Sequence, residues 1–175
     1  MPRACTTKGR APRVNDDWYL ARPDSPADYY GFGQPVYAAG AGKVVFVQDA
    51  KPDNRQFEAA DLERDERAYG GNYVIIDHLN GEYSWFGHLK RGSARVRVDQ
   101  TVAQGAVIGA VGASGSSLFP HVHDELRDGS GAKTVEGLPS YFSTFQRLLG
   151  SHTVDVKQRA VNTGDIVESL VSGKK

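Results

Sequence analysis

An all-β domain of antiparallel sheets is the fold class this chain predicts, on three observations. Glycine is frequent, at 20 of 175 residues. The apolar residues come in short β-branched and aromatic runs, as strands require. Turn signals recur at a spacing of roughly ten residues, the rhythm of sandwiches and barrels. Along the chain, Gln34-Pro35-Val36-Tyr37-Ala38 and Gly42 to Gln48 are the first two strand candidates. Asn72 to Asp77 and Glu82 to His88 follow, and Leu79-Asn80-Gly81 between them reads as the turn of a β-hairpin. Arg95 to Val98, Thr101-Val102, Ala106 to Val111 and His121 to Arg127 complete the strand set.

One quasi-repeat runs through these strands. Gly33 to Val36 leads through an Ala-Gly turn to Gly42-Lys43-Val44-Val45, and Asp99 to Val102 leads through Gln104-Gly105 to Val107-Ile108-Gly109. Each copy is a short strand, a glycine turn and an apolar strand, so the expectation is a duplicated hairpin. Lipoyl and biotinyl carrier domains are built from similar hairpins, but they present a lysine at the tip for modification. Here the tips read Ala39-Gly40-Ala41-Gly42 and Ala103-Gln104-Gly105, with Lys43 only after the first turn. That disfavours a carrier.

Two segments depart from the strand rhythm. Residues 49–69 form a polar insertion, with a turn signal at Lys51-Pro52-Asp53-Asn54 and a charged run from Asp61 to Arg67. In that run a short solvated helix is expected, pairing Asp61 with Arg64 and Glu63 with Arg67. From Glu136 to Leu149, apolar residues at Tyr141, Phe142, Phe145, Leu148 and Leu149 predict a short C-terminal helix packed on the sheet. The tail, 151–175, is mostly polar apart from Ile166-Val167 and Leu170-Val171. The whole, 1–175, reads as a single domain with its core in residues 13–150.

Composition bounds the function. Basic and acidic residues balance at 21 each, which gives no surplus for a nucleic-acid footprint. No apolar run reaches membrane-spanning length. Cys5 is the only cysteine, so the chain holds no intramolecular disulfide and no cysteine-based zinc site. The start, Met1-Pro2-Arg3-Ala4-Cys5, lacks the apolar core of a secretion signal, so no signal peptide is visible in this chain.

Chemistry concentrates in the histidines. Pro120-His121-Val122-His123 sets two imidazoles two residues apart in a strand candidate, where alternate side chains share a face. Such a pair suits a metal ligand beside a proton-transfer group. His88 ends a second strand candidate, and the acidic-aromatic cluster Asn15-Asp16-Asp17-Trp18-Tyr19 lies upstream. His78 reads as a turn residue, His152 as a solvated one, and Trp85 and Phe86 as core or cleft wall.

Together these stretches resemble the lysostaphin-type, or LytM-type, zinc metalloendopeptidases, which cut peptide bonds in bacterial peptidoglycan. The resemblance is carried by Tyr30 to Ala38, Gly71 to Asp77, Phe86-Gly87-His88-Leu89, Gly105 to Gly109, and Ser114-Gly115 through His123, in the family's order. It spans about Asp17 to Leu126. By resemblance the fold is the family's duplicated hairpin motif, the cofactor is zinc, the partners are peptidoglycan peptides, and the location is extracellular or periplasmic. The family draws two zinc ligands from an early His-x-x-x-Asp motif and the third from the second histidine of His-x-His. The resemblance therefore assigns His123 and Asp17 to the metal. It assigns His88 and His121 to catalysis, orienting the attacking water and stabilising the tetrahedral oxyanion.

The chain also departs from that pattern. No histidine precedes His78, and Arg13 stands four residues before Asp17. Arginine cannot ligate zinc, because it stays protonated and has no lone pair to offer. Asp16, Asp24 or Asp28 would have to substitute for the missing ligand, giving a carboxylate-rich site of lower zinc preference; without such a substitute the site is crippled. Asp99 replaces the family's usual glycine, and Asp124 the apolar residue that usually follows the histidine pair. Two functions remain open: a zinc-dependent endopeptidase, and a non-catalytic relative that binds cell-wall peptide or regulates another hydrolase.

Overall fold

The computed structural model describes residues 24–56, 60, 63, 66–131, 135–162 and 165–168. It is built almost wholly of antiparallel strands. The duplicated hairpin is present, and its two copies exchange partners. In the first copy β1 (Pro35–Tyr37) leads to β2 (Gly42–Gln48). After β3 (Tyr73–Asp77) and β4 (Tyr83–Gly87), the second copy runs from β5 (Thr101–Val102) to β6 (Val107–Ala110). β1 pairs with β6, Val36 opposite Gly109, while β5 pairs with β2, Val102 opposite Gly42. Each short strand thus completes the ladder of the other copy's long strand.

β7 (His123–Arg127) and β8 (Gly137–Leu138) close a six-stranded sheet of order β5-β2-β3-β4-β7-β8. Both of its faces are covered, which explains why Tyr73 to Ile76 are all buried rather than alternating. One face packs Val44, Val74, Ile76 and Phe86 against Val36, Ile108 and Val111 from the β1–β6 ribbon and its exit. The other carries Tyr73, Ile75 and Trp85. The β3–β4 hairpin turns at Leu79-Asn80-Gly81 as its sequence predicts, with Leu79 at φ 60 and Gly81 at φ 87. Asp99, at φ 69, occupies left-handed backbone, which accounts for the glycine usual there, and its carboxylate takes an ion pair from Lys43 at 2.6 Å.

Three expectations change. Arg95 to Val98 is extended chain rather than a strand. Its backbone joins a ladder partner only through Arg95 N–H to the Ile108 carbonyl (3.0 Å); Arg97 N–H and carbonyl bond locally with Gln100, and Asp49 captures the neighbouring Ser93 and Ala94 amides. The helix expected between Glu136 and Leu149 does not form. Phe142–Leu149 is strand β9, and Gly150, at φ 61, turns the chain back into β10 (His152–Arg159), pairing Leu149 with His152 through to Phe142 with Arg159. Phe145 and Leu148 sit at helical spacing, but the β-branched Val154 and Val156 supply a strand partner instead. Within 151–175, expected as a polar tail, lie β10 and β11 (Ile166–Glu168), giving a sheet of order β10-β9-β11. In the insertion, Glu66–Gly70 forms a 3-10 turn; the expected Asp61–Arg64 pairing falls outside the described residues.

Candidate active site

Three strand ends bring three of the five histidines together. His88 follows β4 directly. Its amide donates to the Gly70 carbonyl at 2.7 Å, and its backbone sits at φ 58, an uncommon conformation for a non-glycine residue. The side chain is buried, with Nδ1 2.9 Å from the Ser114 carbonyl oxygen. A carbonyl can only accept, so Nδ1 carries the proton and the lone pair of neutral His88 lies on Nε2. His121 lies just before β7, in an isolated bridge with Gly112, and Nδ1 donates to the Phe119 carbonyl at 2.8 Å. Its Nε2 is therefore the lone-pair nitrogen too. The ring centroids of His88 and His121 are 4.7 Å apart, and those of His88 and His123 are 6.0 Å apart.

His123 opens β7 opposite Gly87, and its tautomer is the reverse of the other two. Nε2 is 3.2 Å from Glu125 Oε2, so it bears the proton and leaves the lone pair on Nδ1. The same carboxylate oxygen accepts from Arg127 Nη2 at 2.7 Å. Partial burial pushes the Glu125 carboxyl up, but the hydrogen bonds from Arg127 and His123 together outweigh it and hold the group below the usual glutamate range. For His88, burial dominates. It lowers the imidazole to about 4, against the opposing hydrogen bond to Ser114 and with help from the neighbouring His121 and His123. His88 is thus neutral across the physiological range.

A cleft opens beside the trio, walled by Tyr69, Gly70, Trp85, Gly87, His88 and His123. Trp85 is cleft wall, as its sequence context allowed. His78 lies elsewhere, with Nδ1 against the Ala41 carbonyl at 2.9 Å and Nε2 against Ser84 Oγ at 2.7 Å, bridging the two ends of the β2–β3–β4 unit. His152 is exposed at the start of β10.

The described residues do not complete a zinc site. Among them no three His, Cys, Asp or Glu side chains gather closely enough to hold a metal ion. His123 offers a suitable lone pair, but both nitrogens of His78 are engaged. Asp28 spends its carboxylate on the Ser25 amide (2.8 Å) in a capping box, and Asp24 is exposed. Asp16 and Asp17 lie outside the described residues.

Sequence reasoning missed the groups that hold the histidines. Asn72 is fully buried, bonding Lys51 and Leu89 through its side chain and Ser114 Oγ through its amide (2.9 Å). Ser114 Oγ in turn donates to the Leu89 carbonyl at 2.8 Å, which sets the Ser114 carbonyl against His88. Glu125 and Arg127 were missed as well. The period-two rule that paired His121 with His123 also places 125 and 127 on the His123 face.

Comparison with known proteins identifies the family. The family model Peptidase family M23 matches residues 27–135. The peptidoglycan DD-endopeptidase ShyC of Vibrio cholerae is 33% identical over 130 residues, covering 73% of this chain and 25% of its own length. The DD-carboxypeptidase/endopeptidase Mpg of Neisseria meningitidis is 44% identical over 95 residues, covering 54% of this chain and 17% of its own. The chain spans at most a quarter of either curated relative. The catalytic domain of the prophage-encoded M23 protein EnpA from Enterococcus faecalis aligns with a TM-score of 0.45 and 25% identity, over 74% of this chain and 90% of that one. With three histidines converging at the strand ends where the family's motifs fall, and the family model covering the crossed hairpins and the cleft, this chain belongs to peptidase family M23.

Proposed function

We propose that the domain is a zinc-dependent endopeptidase that hydrolyses peptide bonds in bacterial peptidoglycan, acting outside the cytoplasmic membrane in the periplasm or extracellular space. The observation that carries the reading is the meeting of His88, His121 and His123 beside one cleft, which His88 and His123 line, with two tautomers presenting Nε2 and one presenting Nδ1. The peptidoglycan enzymes among its relatives support the substrate class.

The two roles divide by environment. His88 is buried and disfavours a charge, so it accepts a hydrogen bond from the attacking water and orients it. His121 is half-exposed, and its Nε2 takes the proton that the water releases. Only then does Nε2 become a donor, able to stabilise the tetrahedral oxyanion and to protonate the leaving amine. Zinc belongs to the proposal through His123 and Asp17, as a Lewis acid toward the scissile carbonyl.

A second reading has one observation behind it: no further imidazole is at hand for a metal, which favours a non-catalytic domain that binds cell-wall peptide or regulates another hydrolase. One experiment separates them. Purified protein is analysed for metal before and after zinc addition, and muropeptide cleavage is followed for the parent, His121→Ala and Asp17→Ala. The enzyme reading expects near-stoichiometric zinc and turnover in the parent. In His121→Ala, turnover should fall at least about a hundredfold with metal retained; in Asp17→Ala, metal should be lost. Peptide binding with neither metal nor cleavage establishes the second reading.

A further inference from the structure

We infer that Glu125 is a positioning residue for His123: its carboxylate, gripped by Arg127 and braced on Trp85, fixes the imidazole's orientation and leaves its lone pair on Nδ1. The inference rests on the reading above, in which His123 is the metal-facing imidazole. From the end of the neighbouring strand His88 meets the ring edge-on at 6.0 Å, but no hydrogen bond from there sets its tautomer. His123 lies opposite Gly87 on β4, which has no side chain to wedge the ring. The ring is also half-exposed, at 53%, so packing alone does not hold it. Order must come along β7 itself, where residues 123, 125 and 127 share a face.

The brace becomes stiffer away from the cleft. Exposure falls from 53% at His123 to 31% at Glu125 and 20% at Arg127. Glu125 Oε2 takes both the His123 N–H at 3.2 Å and the Arg127 N–H at 2.7 Å. The Arg127 guanidinium lies over the Trp85 ring at 4.0 Å. Trp85 stacks on Tyr73 at 5.4 Å and 6°, Tyr73 stacks on Phe46 at 5.1 Å and 10°, and Arg67 caps Phe46 at 4.4 Å. One column therefore ties the His123 ring to strands β7, β4, β3 and β2. A gain in fold stability is a weak account of such a pair, since partly exposed ion pairs contribute little to stability. Ligand orientation is the stronger account, because a partner on the second nitrogen sets both the tautomer and the angle of a ligating histidine.

The test uses the full chain and reads the ring before any metal is present. Imidazole NMR signals of His123 are recorded in the metal-free parent, Glu125→Ala and Glu125→Gln, with zinc affinity then measured by chelator competition. In Glu125→Ala the His123 ring signals should broaden while those of His88 and His121 stay put, and zinc affinity should drop about 10- to 100-fold. Glu125→Gln keeps an acceptor of the same reach and should restore ring order and most of the affinity. If Glu125→Ala fails to fold, Arg127→Lys replaces it with the same readout, since it keeps the charge but not the flat stacking on Trp85. Unchanged, sharp His123 signals in Glu125→Ala, or Glu125→Gln behaving like the alanine variant, overturn the inference. A parent that binds no zinc defeats the enzyme reading instead, and the ring signals still decide the positioning role.

Discussion

At His88 backbone conformation, burial and protonation meet in one residue. Left-handed backbone costs a non-glycine residue about 1–2 kcal/mol. Here it is held by the bond from its amide to Gly70 and by the ring's bond to Ser114. Its protonation has a measurable consequence. The unfolded chain takes up the proton near pH 6.5, the folded chain only near 4. Between those values the unfolded state binds more protons, so stability falls as pH falls. The gap corresponds to about 3 kcal/mol, with the penalty absent above pH 6.5 and complete at pH 4. Urea unfolding of the parent and of His88→Asn across this range checks it. The parent's stability should decline more steeply than the variant's, and parallel curves would show that His88 titrates as a solvated imidazole. The same residue marks how far the site was legible. His-x-His and a strand-end histidine can be read from residue order, whereas Asn72 and Ser114, which set the His88 ring, act across 42 residues of separation that no local pattern reports.

Among the elements, the crossed hairpins make two glycines unequal. A Cβ on Gly42 falls on the backbone oxygen of Asp77 and within 2.7 Å of Ile76 Cγ2, because β2 passes tightly against β3 there. A Cβ on Gly105 meets nothing within 4 Å, and its requirement is only the turn's φ of 80. Gly42→Ala should therefore cost about 2–3 kcal/mol through overpacking, and Gly105→Ala about 1 kcal/mol through backbone strain. Denaturant midpoints of the two variants test the order, and a reversal would mean that the β2–β3 approach yields easily. Strands with turn residues on both sides were legible, and β2 runs from Gly42 to Gln48 as its sequence marks it. The duplication was legible too, but its exchange of partners was not, since two similar hairpins pair equally well within or between copies on pattern alone. β9 was misread for a related reason. Phe142, Phe145 and Leu149 fit a helical stripe as well as a strand, and only the return of β10 decides between them.

For the whole molecule, the two larger sheets differ in what they owe to each other, the β1–β6 ribbon belonging with the first through the crossed hairpins. β5-β2-β3-β4-β7-β8 holds every histidine of the trio at its strand ends or in the loops it braces, and the family match ends at residue 135, just before β8. β10-β9-β11 shares no ladder with it among the described residues. Partner exchange between the hairpins means that neither copy completes its sheet without the other, so the first system should fold as one cooperative unit dominated by long-range pairing. A chain ending at Pro139 keeps β8 against β7 and removes the second system entirely. It should unfold in a single transition and keep the imidazole signals of His88, His121 and His123 at the positions seen in the full chain. Signals that collapse to random-coil positions would show instead that the second sheet belongs to the same cooperative unit. In that case the family's motif region would depend on an addition lying outside the matched residues.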